Sequence, residues 1–131
     1  MQNALITFHS KRQSTVETSM FSAEFCAIKS GIKVLRGIHY KLRIIGILLT
    51  RLSYIYGKNM SVIYNTPRLE STLKKKLCSV SYYFYREAVA IHQCLTYHIL
   101  TTKNLADLLM KVLFGMKRRV LVRNVLYDIY D

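Results

Sequence analysis

The sequence predicts an α/β fold: a mixed or largely parallel sheet with covering helices. Three observations lead there. Strand-like and helix-like hydrophobic patterns alternate along the chain, in the order strand, long helix, strand, two helices, strand, helix. Hydrophobic residues make up 51% of 131 residues, enough for one domain's core. One Pro and five Gly leave little room for long linkers, and no internal repeat is visible.

The first element is the run Ala4-Leu5-Ile6-Thr7-Phe8, short and apolar with a β-branched residue, which reads as a strand. A polar stretch follows, and Ser14-x-x-Glu17 fits a capping box. From about Thr18 to Ile45 the residues Phe21, Phe25, Ile28, Ile32, Leu35, His39 and Leu42 recur at spacings of four and three, which predicts a long amphipathic helix. Ala27, Val34 and Ile38 widen its apolar face, Lys29, Lys33 and Arg36 mark the opposite one, and Gly46 is the stop signal. Leu52 to Tyr56 alternates like a strand. Asn59 caps a short helix holding Val62 and Ile63, closed by Thr66-Pro67. Ser71 opens the next helix, with Leu73, Leu77, Val80, Phe84, Ala88 and Ile91 as its apolar face. Cys94 to Leu100 reads as a half-buried strand with Leu95, Tyr97 and Ile99 inward. Asn104 caps a last short helix with Leu105, Leu108, Leu109 and Val112. The expected organisation is one domain over 1–131, with a core of about 4–113 and a basic extension over 114–131.

Composition narrows the function classes. Twenty Lys plus Arg stand against seven Asp plus Glu, a formal charge of +13, which points to polyanionic partners. No uncharged apolar run approaches the roughly 20 residues of a membrane helix, so no membrane partner is expected. No secretory leader pattern is present, and the compartment is left open between cytoplasm and nucleus. Cys26, Cys78 and Cys94 are odd in number and widely spaced, which suits reduced core thiols. The four histidines lack metal-site spacing, and neither a nucleophile elbow nor a Gly-rich phosphate loop occurs.

Two carboxylates stand out. Glu24 projects into the apolar half of its helix, where an unpaired carboxylate costs several kcal/mol. A buried role offsets that cost, or the group sits near a helix start and profits from the macrodipole. Asp107 fits a capping arrangement with Asn104, or stands at a helix N-terminus where a metal or phosphate can sit. Lys74-Lys75-Lys76 is a solvated face or a phosphate grip. With Tyr82, Tyr83 and Tyr85 downstream, it combines basic and aromatic surface as nucleic-acid binders do.

Several strings together resemble the ribonuclease H domain at the C-terminal end of copia-type retrotransposon polyproteins. They are Lys11-Arg12-Gln13-Ser14-Thr15-Val16-Glu17-Thr18-Ser19 with Ser22-Ala23-Glu24-Phe25, His39-Tyr40-Lys41-Leu42-Arg43, and Tyr56-Gly57-Lys58-Asn59-Met60-Ser61-Val62. They continue with Glu70-Ser71-Thr72-Leu73-Lys74-Lys75-Lys76, Tyr82-Tyr83-Phe84-Tyr85-Arg86-Glu87-Ala88-Val89 and Asn104-Leu105-Ala106-Asp107-Leu108-Leu109. The order covers nearly the whole chain.

The resemblance implies a ribonuclease H-like α/β fold, a five-stranded mixed sheet with flanking helices, met here from its third strand onward without the first strands. It implies cleavage of the RNA strand of RNA/DNA hybrids in reverse transcription, within a larger polyprotein alongside reverse transcriptase and integrase. The cofactor implied is magnesium: two ions about 4 Å apart, held by clustered carboxylates. Carried over by position, Glu24 matches the helix Glu and Asp107 the last Asp, the two surviving catalytic and metal-ligating acids. Lys58 stands where the family has an Asp, and the first-strand Asp has no counterpart. Tyr83 replaces a His, and Met110 a Thr. A like charge at about 4 Å costs on the order of 4 kcal/mol per unit charge at an effective dielectric near 20, so Lys58 opposes a dication. The expectation is therefore a degenerate, inactive remnant with Glu24 and Asp107 as an incomplete site. The alternative is a non-enzymatic basic nucleic-acid-binding module, with Lys74, Lys75, Lys76 and Arg86 as the contacting residues.

Overall fold

The computed structural model describes residues 5–14, 20–65 and 79–125. Contacts gather the chain into two compact units, Glu17–His98 and Met1–Val16 with Ile99–Asp131.

The first unit is built on a parallel crossover. Helix α1 spans Met20–Ile44, strand β1 Ser53–Gly57, helix α2 Met60–Asn65, helix α3 Ser79–Ala90 and strand β2 Cys94–His98. The strands pair in parallel, from Ser53 opposite Cys94 to Gly57 opposite His98. Parallel neighbours need a long connection, which here carries α2 and α3. Mixed helix and strand with a parallel pair agrees with the predicted α/β class at that coarse level.

The periodicity of α1 becomes a packing surface. Phe25, Ile28 and Ile32 are buried, and Phe21 and Leu35 extend their line. They meet Val62 of α2, Tyr82, Tyr85 and Ala88 of α3, and Cys94 of β2. The stripe is narrower than the sequence suggests: Ala27 and Val34 lie exposed. The stop at Gly46 is real. Its φ is +83°, Gly46 N donates to Arg43 O at 3.1 Å and Ile47 N to Leu42 O at 2.9 Å, a Schellman closure. Helix α3 ends the same way on a costlier residue. His92 has φ +54°, with His92 N to Val89 O at 3.0 Å and Gln93 N to Ala88 O at 2.9 Å.

Further expectations need correction. Residues 5–8 form no strand, and Leu5, Ile6 and Phe8 lie exposed; an apolar run without a pairing neighbour does not hold extended structure. Helix α3 buries Ser81, Tyr82, Tyr85 and Ala88, leaving Val80 and Ile91 exposed. Tyrosine wins the core because its hydroxyl is satisfied: Tyr85 Oη lies 2.6 Å from Thr96 Oγ1. In β2 the inward residues are Cys94 and Thr96, whereas Tyr97 faces outward; a one-residue shift swaps the faces of a strand. Arg36 is only half-exposed, held by Gln93 and Glu87. The Ser14-x-x-Glu17 cap, Cys78, Thr66-Pro67 and the opening of the helix from Ser71 lie outside the described residues.

In the second unit, helix α4 spans Asp107–Met110 and helix α5 Gly115–Arg123. Asn104 Oδ1 accepts from Ala106 N at 3.2 Å, one turn before α4, so it shapes the approach and not the cap itself. Val112 is exposed, contrary to its expected place on an apolar helix face.

Candidate functional site

The end of β1 is where the resemblance concentrates its chemistry. Gly57 closes the strand, and an added Cβ there would lie 3.4 Å from Ile63 Cδ1, so α2 folds tightly back on it. Lys58 follows, half-buried. Asn59 then starts α2 as expected: its Oδ1 accepts from Ser61 N at 3.1 Å and Val62 N at 3.4 Å. Parallel strands present functional residues beyond their C-terminal ends, the position of Lys58.

Glu24 lies on α1, whose direction against the strands is set by its side-chain ties. Helices α1 and α3 run alongside each other in one direction: Cys26 Sγ sits 4.0 Å from Ser81 Oγ, the Phe25 and Tyr82 rings are 5.9 Å apart, and Arg36 Nη2 is 3.9 Å from Glu87 Oε1. Further along, Arg36 Nε donates to Gln93 Oε1 at 2.8 Å and His39 Nε2 lies 3.0 Å from Ser53 Oγ. Both partners stand at the starts of the strands, so α1 runs opposite to them. Twelve helical residues span about 18 Å, and a five-residue strand about 16 Å. Glu24 therefore stands toward the end of α1 remote from Arg36. It is half-buried, and among the described residues no ion pair involves it.

Asp107 belongs to the other compact unit. It is the first residue of α4 and is buried, and its Oδ2 lies 3.9 Å from Lys117 Nζ of α5. The buried carboxylate is thus used to join the two short helices. Among the described residues no three His, Cys, Asp or Glu side chains converge on a point that suits a metal ion. Glu24 lies in the unit Glu17–His98 and Asp107 in the other.

The nucleic-acid candidates divide. Lys74, Lys75 and Lys76 lie outside the described residues. Arg86 is half-buried, its guanidinium 5.4 Å from the centre of the Tyr82 ring and its Nη1 donating to Tyr82 Oη at 3.3 Å. Tyr83 and Met110, the two departures from the resembled pattern, are both exposed.

Two features escape the sequence reading. Arg36 sits in the charged stripe of α1, yet its guanidinium stacks 4.6 Å from the Phe84 ring centre while bonding Gln93. With His39, Tyr40, Arg43 and Gln93 it lines an open groove of about 470 Å³. The signal was present only as an Arg one turn from His39 on a helix edge. The second feature is the outer face of the sheet, where Tyr54, Tyr56 and Tyr97 are each about half exposed. The Tyr54 and Tyr97 rings meet edge to face at 5.3 Å, and Tyr56 and Tyr97 are tilted at 6.5 Å. Alternation in β1 announced its two tyrosines, but the parallel register that adds Tyr97 was invisible.

Burial pushes the Tyr85 hydroxyl above its ordinary range, only partly countered by Thr96. Burial likewise raises the Cys94 thiol, against the pull of Arg36. Cys94 is accordingly a neutral packing group and no nucleophile. Compared with protein-family models, curated proteins and solved structures, the chain matches none.

Proposed function

We propose that the chain is a non-hydrolytic derivative of the ribonuclease H-like domain of copia-type retrotransposons. The observation that carries this reading is the end of β1. There Tyr56-Gly57-Lys58-Asn59 puts Lys58 directly after the last residue of a parallel strand. The order of strings that resembles the family supports it, as does a long helix followed by a parallel strand pair. A cation in place of an acid repels the dications that hydrolysis needs. The ancestral polyprotein, its reverse transcriptase and integrase, and the magnesium requirement all belong to this reading.

The test is incubation of the purified chain with an RNA/DNA hybrid and Mg²⁺ or Mn²⁺. No cleavage above background is expected. Cleavage that disappears in Glu24→Gln overturns the proposal.

A second reading, a basic nucleic-acid-binding module, is favoured by the exposed Tyr54, Tyr56 and Tyr97 together with the formal charge of +13. Bases stack on such rings, and cations neutralise phosphates. Hybrid or single-strand affinity is then expected to fall at least about tenfold between low and physiological salt. An affinity that barely changes rejects this reading.

A further inference from the structure

We propose that residues 111–123 form a surface that adsorbs to an anionic lipid bilayer, lying on it and not crossing it. The segment does not belong to the site at β1. Between Lys111 and Arg123 stand five cations, Lys111, Lys117, Arg118, Arg119 and Arg123, with no acid among them. Between these charges four apolar side chains face solvent: Val112 at 102% relative exposure, Phe114 at 92%, Met116 at 77% and Val120 at 58%.

The arrangement follows from helix geometry. Helix α5 turns Lys117 and Leu121, four residues apart, toward its own unit: Leu121 is fully buried and Lys117 reaches Asp107 on α4. Met116 and Val120, also four apart, then stand side by side on an outer stripe, with Arg119 and Arg123 along its edge. Phe114, extended and directly before α5, and Val112 add two more exposed apolar side chains. Four large apolar side chains exposed within nine residues are costly in water and suit a contact. Apolar and cationic groups in one strip match an anionic bilayer, which takes the first into its acyl boundary and the second among its headgroups. Neither signal alone holds a protein there, and the segment has both.

Nucleic acid fits less well. Phosphates answer the cations, but of the four exposed apolar side chains only Phe114 offers bases a flat ring. No helix among the described residues is long and apolar enough to cross a membrane. The expectation of no membrane partner rested on spanning length, which adsorption does not need.

The chain has no Trp, so Phe114→Trp introduces a single reporter without background. Position 114 is nearly fully exposed, so the change leaves packing intact, and circular dichroism of the full chain checks this. With vesicles of phosphatidylcholine and phosphatidylserine, a blue shift of the Trp emission and co-sedimentation are expected. Pure phosphatidylcholine vesicles are expected to give neither. Arg119→Ala should weaken partitioning about fivefold, one cation's worth of surface attraction, and Met116→Asp should weaken it more. The proposal is overturned by no shift on anionic vesicles, by equal partitioning to neutral ones, by an unaltered Met116→Asp variant, or by a Trp signal that responds to RNA and not to vesicles.

Discussion

The unit Glu17–His98 and the unit that contains Ile99–Asp131 differ in how much apolar surface they bury. The first buries Phe25, Ile28, Ile32, Val62, Tyr82, Tyr85, Ala88 and Cys94 in one cluster. In the second, Leu121 and Asp107 are the buried residues among those described, while Val112, Phe114, Met116 and Val120 face water. Apolar packing is therefore concentrated in the first unit, although both units also leave apolar side chains in water. A hydrophobic residue in this chain informs about stability only if its helix has a second element to lean on.

That contrast sets a ladder of expected effects. The largest is Ile32→Ala. Ile32 is fully buried at the middle of the α1 face, and loss of its side chain should cost about 2–5 kcal/mol in chemical denaturation. The same truncation at Val112 should shift the midpoint negligibly. Equal effects at the two sites would erase the difference between the units. Next comes Lys117→Ala, which withdraws the cation from the buried Asp107 carboxylate and should cost about 1–3 kcal/mol. Its loss should appear as faster amide exchange in α4 and α5, with β1 and β2 protected as before.

Tyr85→Phe should cost about 0.5–1.5 kcal/mol, the net value of the bond to Thr96. The smallest effect has the opposite sign. His92→Gly relieves a left-handed residue at the end of α3 and should stabilise by about 0.5–1 kcal/mol, read as a rise in melting temperature.

Titration sharpens the same contrast. Burial raises both Cys94 and Tyr85 above ordinary values of 9.0 and 10.0, so the folded state holds its protons more tightly than the unfolded one. Their stabilising contribution is complete below pH 9 and declines as the solution passes 9.0 and then 10.0. Denaturant midpoints measured from neutral to strongly alkaline pH should fall. Cys94→Ala should remove the earlier part of the decline.

What the sequence disclosed follows from how local each signal is. The face of α1 was legible because the spacing of Phe21, Phe25, Ile28 and Ile32 is a property of one helix. Gly46 and Asn59 were legible because their capping bonds reach five residues or fewer. The faces of α3 and β2 were not, since the choice of Tyr85 over Val80, or Thr96 over Tyr97, depends on a bond between the two elements. The same holds at the candidate site. Glu24 and Lys58 were identifiable by type and neighbouring residues. The direction of α1 against the strands needed the ties of Arg36 to Gln93 and His39 to Ser53. Asp107 read as a cap or a ligand, and its link to Lys117 required the turn between α4 and α5.

The register of β1 on β2 also bears on how the chain reaches its shape. Ser53 pairs with Cys94, 41 positions later, whereas every capping bond described is made within one or two turns. Closing so long a loop costs entropy before any ladder bond repays it. Helix formation is expected to run ahead on the microsecond scale, leaving Tyr54 and Tyr56 on an unmated strand meanwhile. A nascent chain of this sequence is thus most prone to clump in the interval after β1 has been made and before β2 emerges.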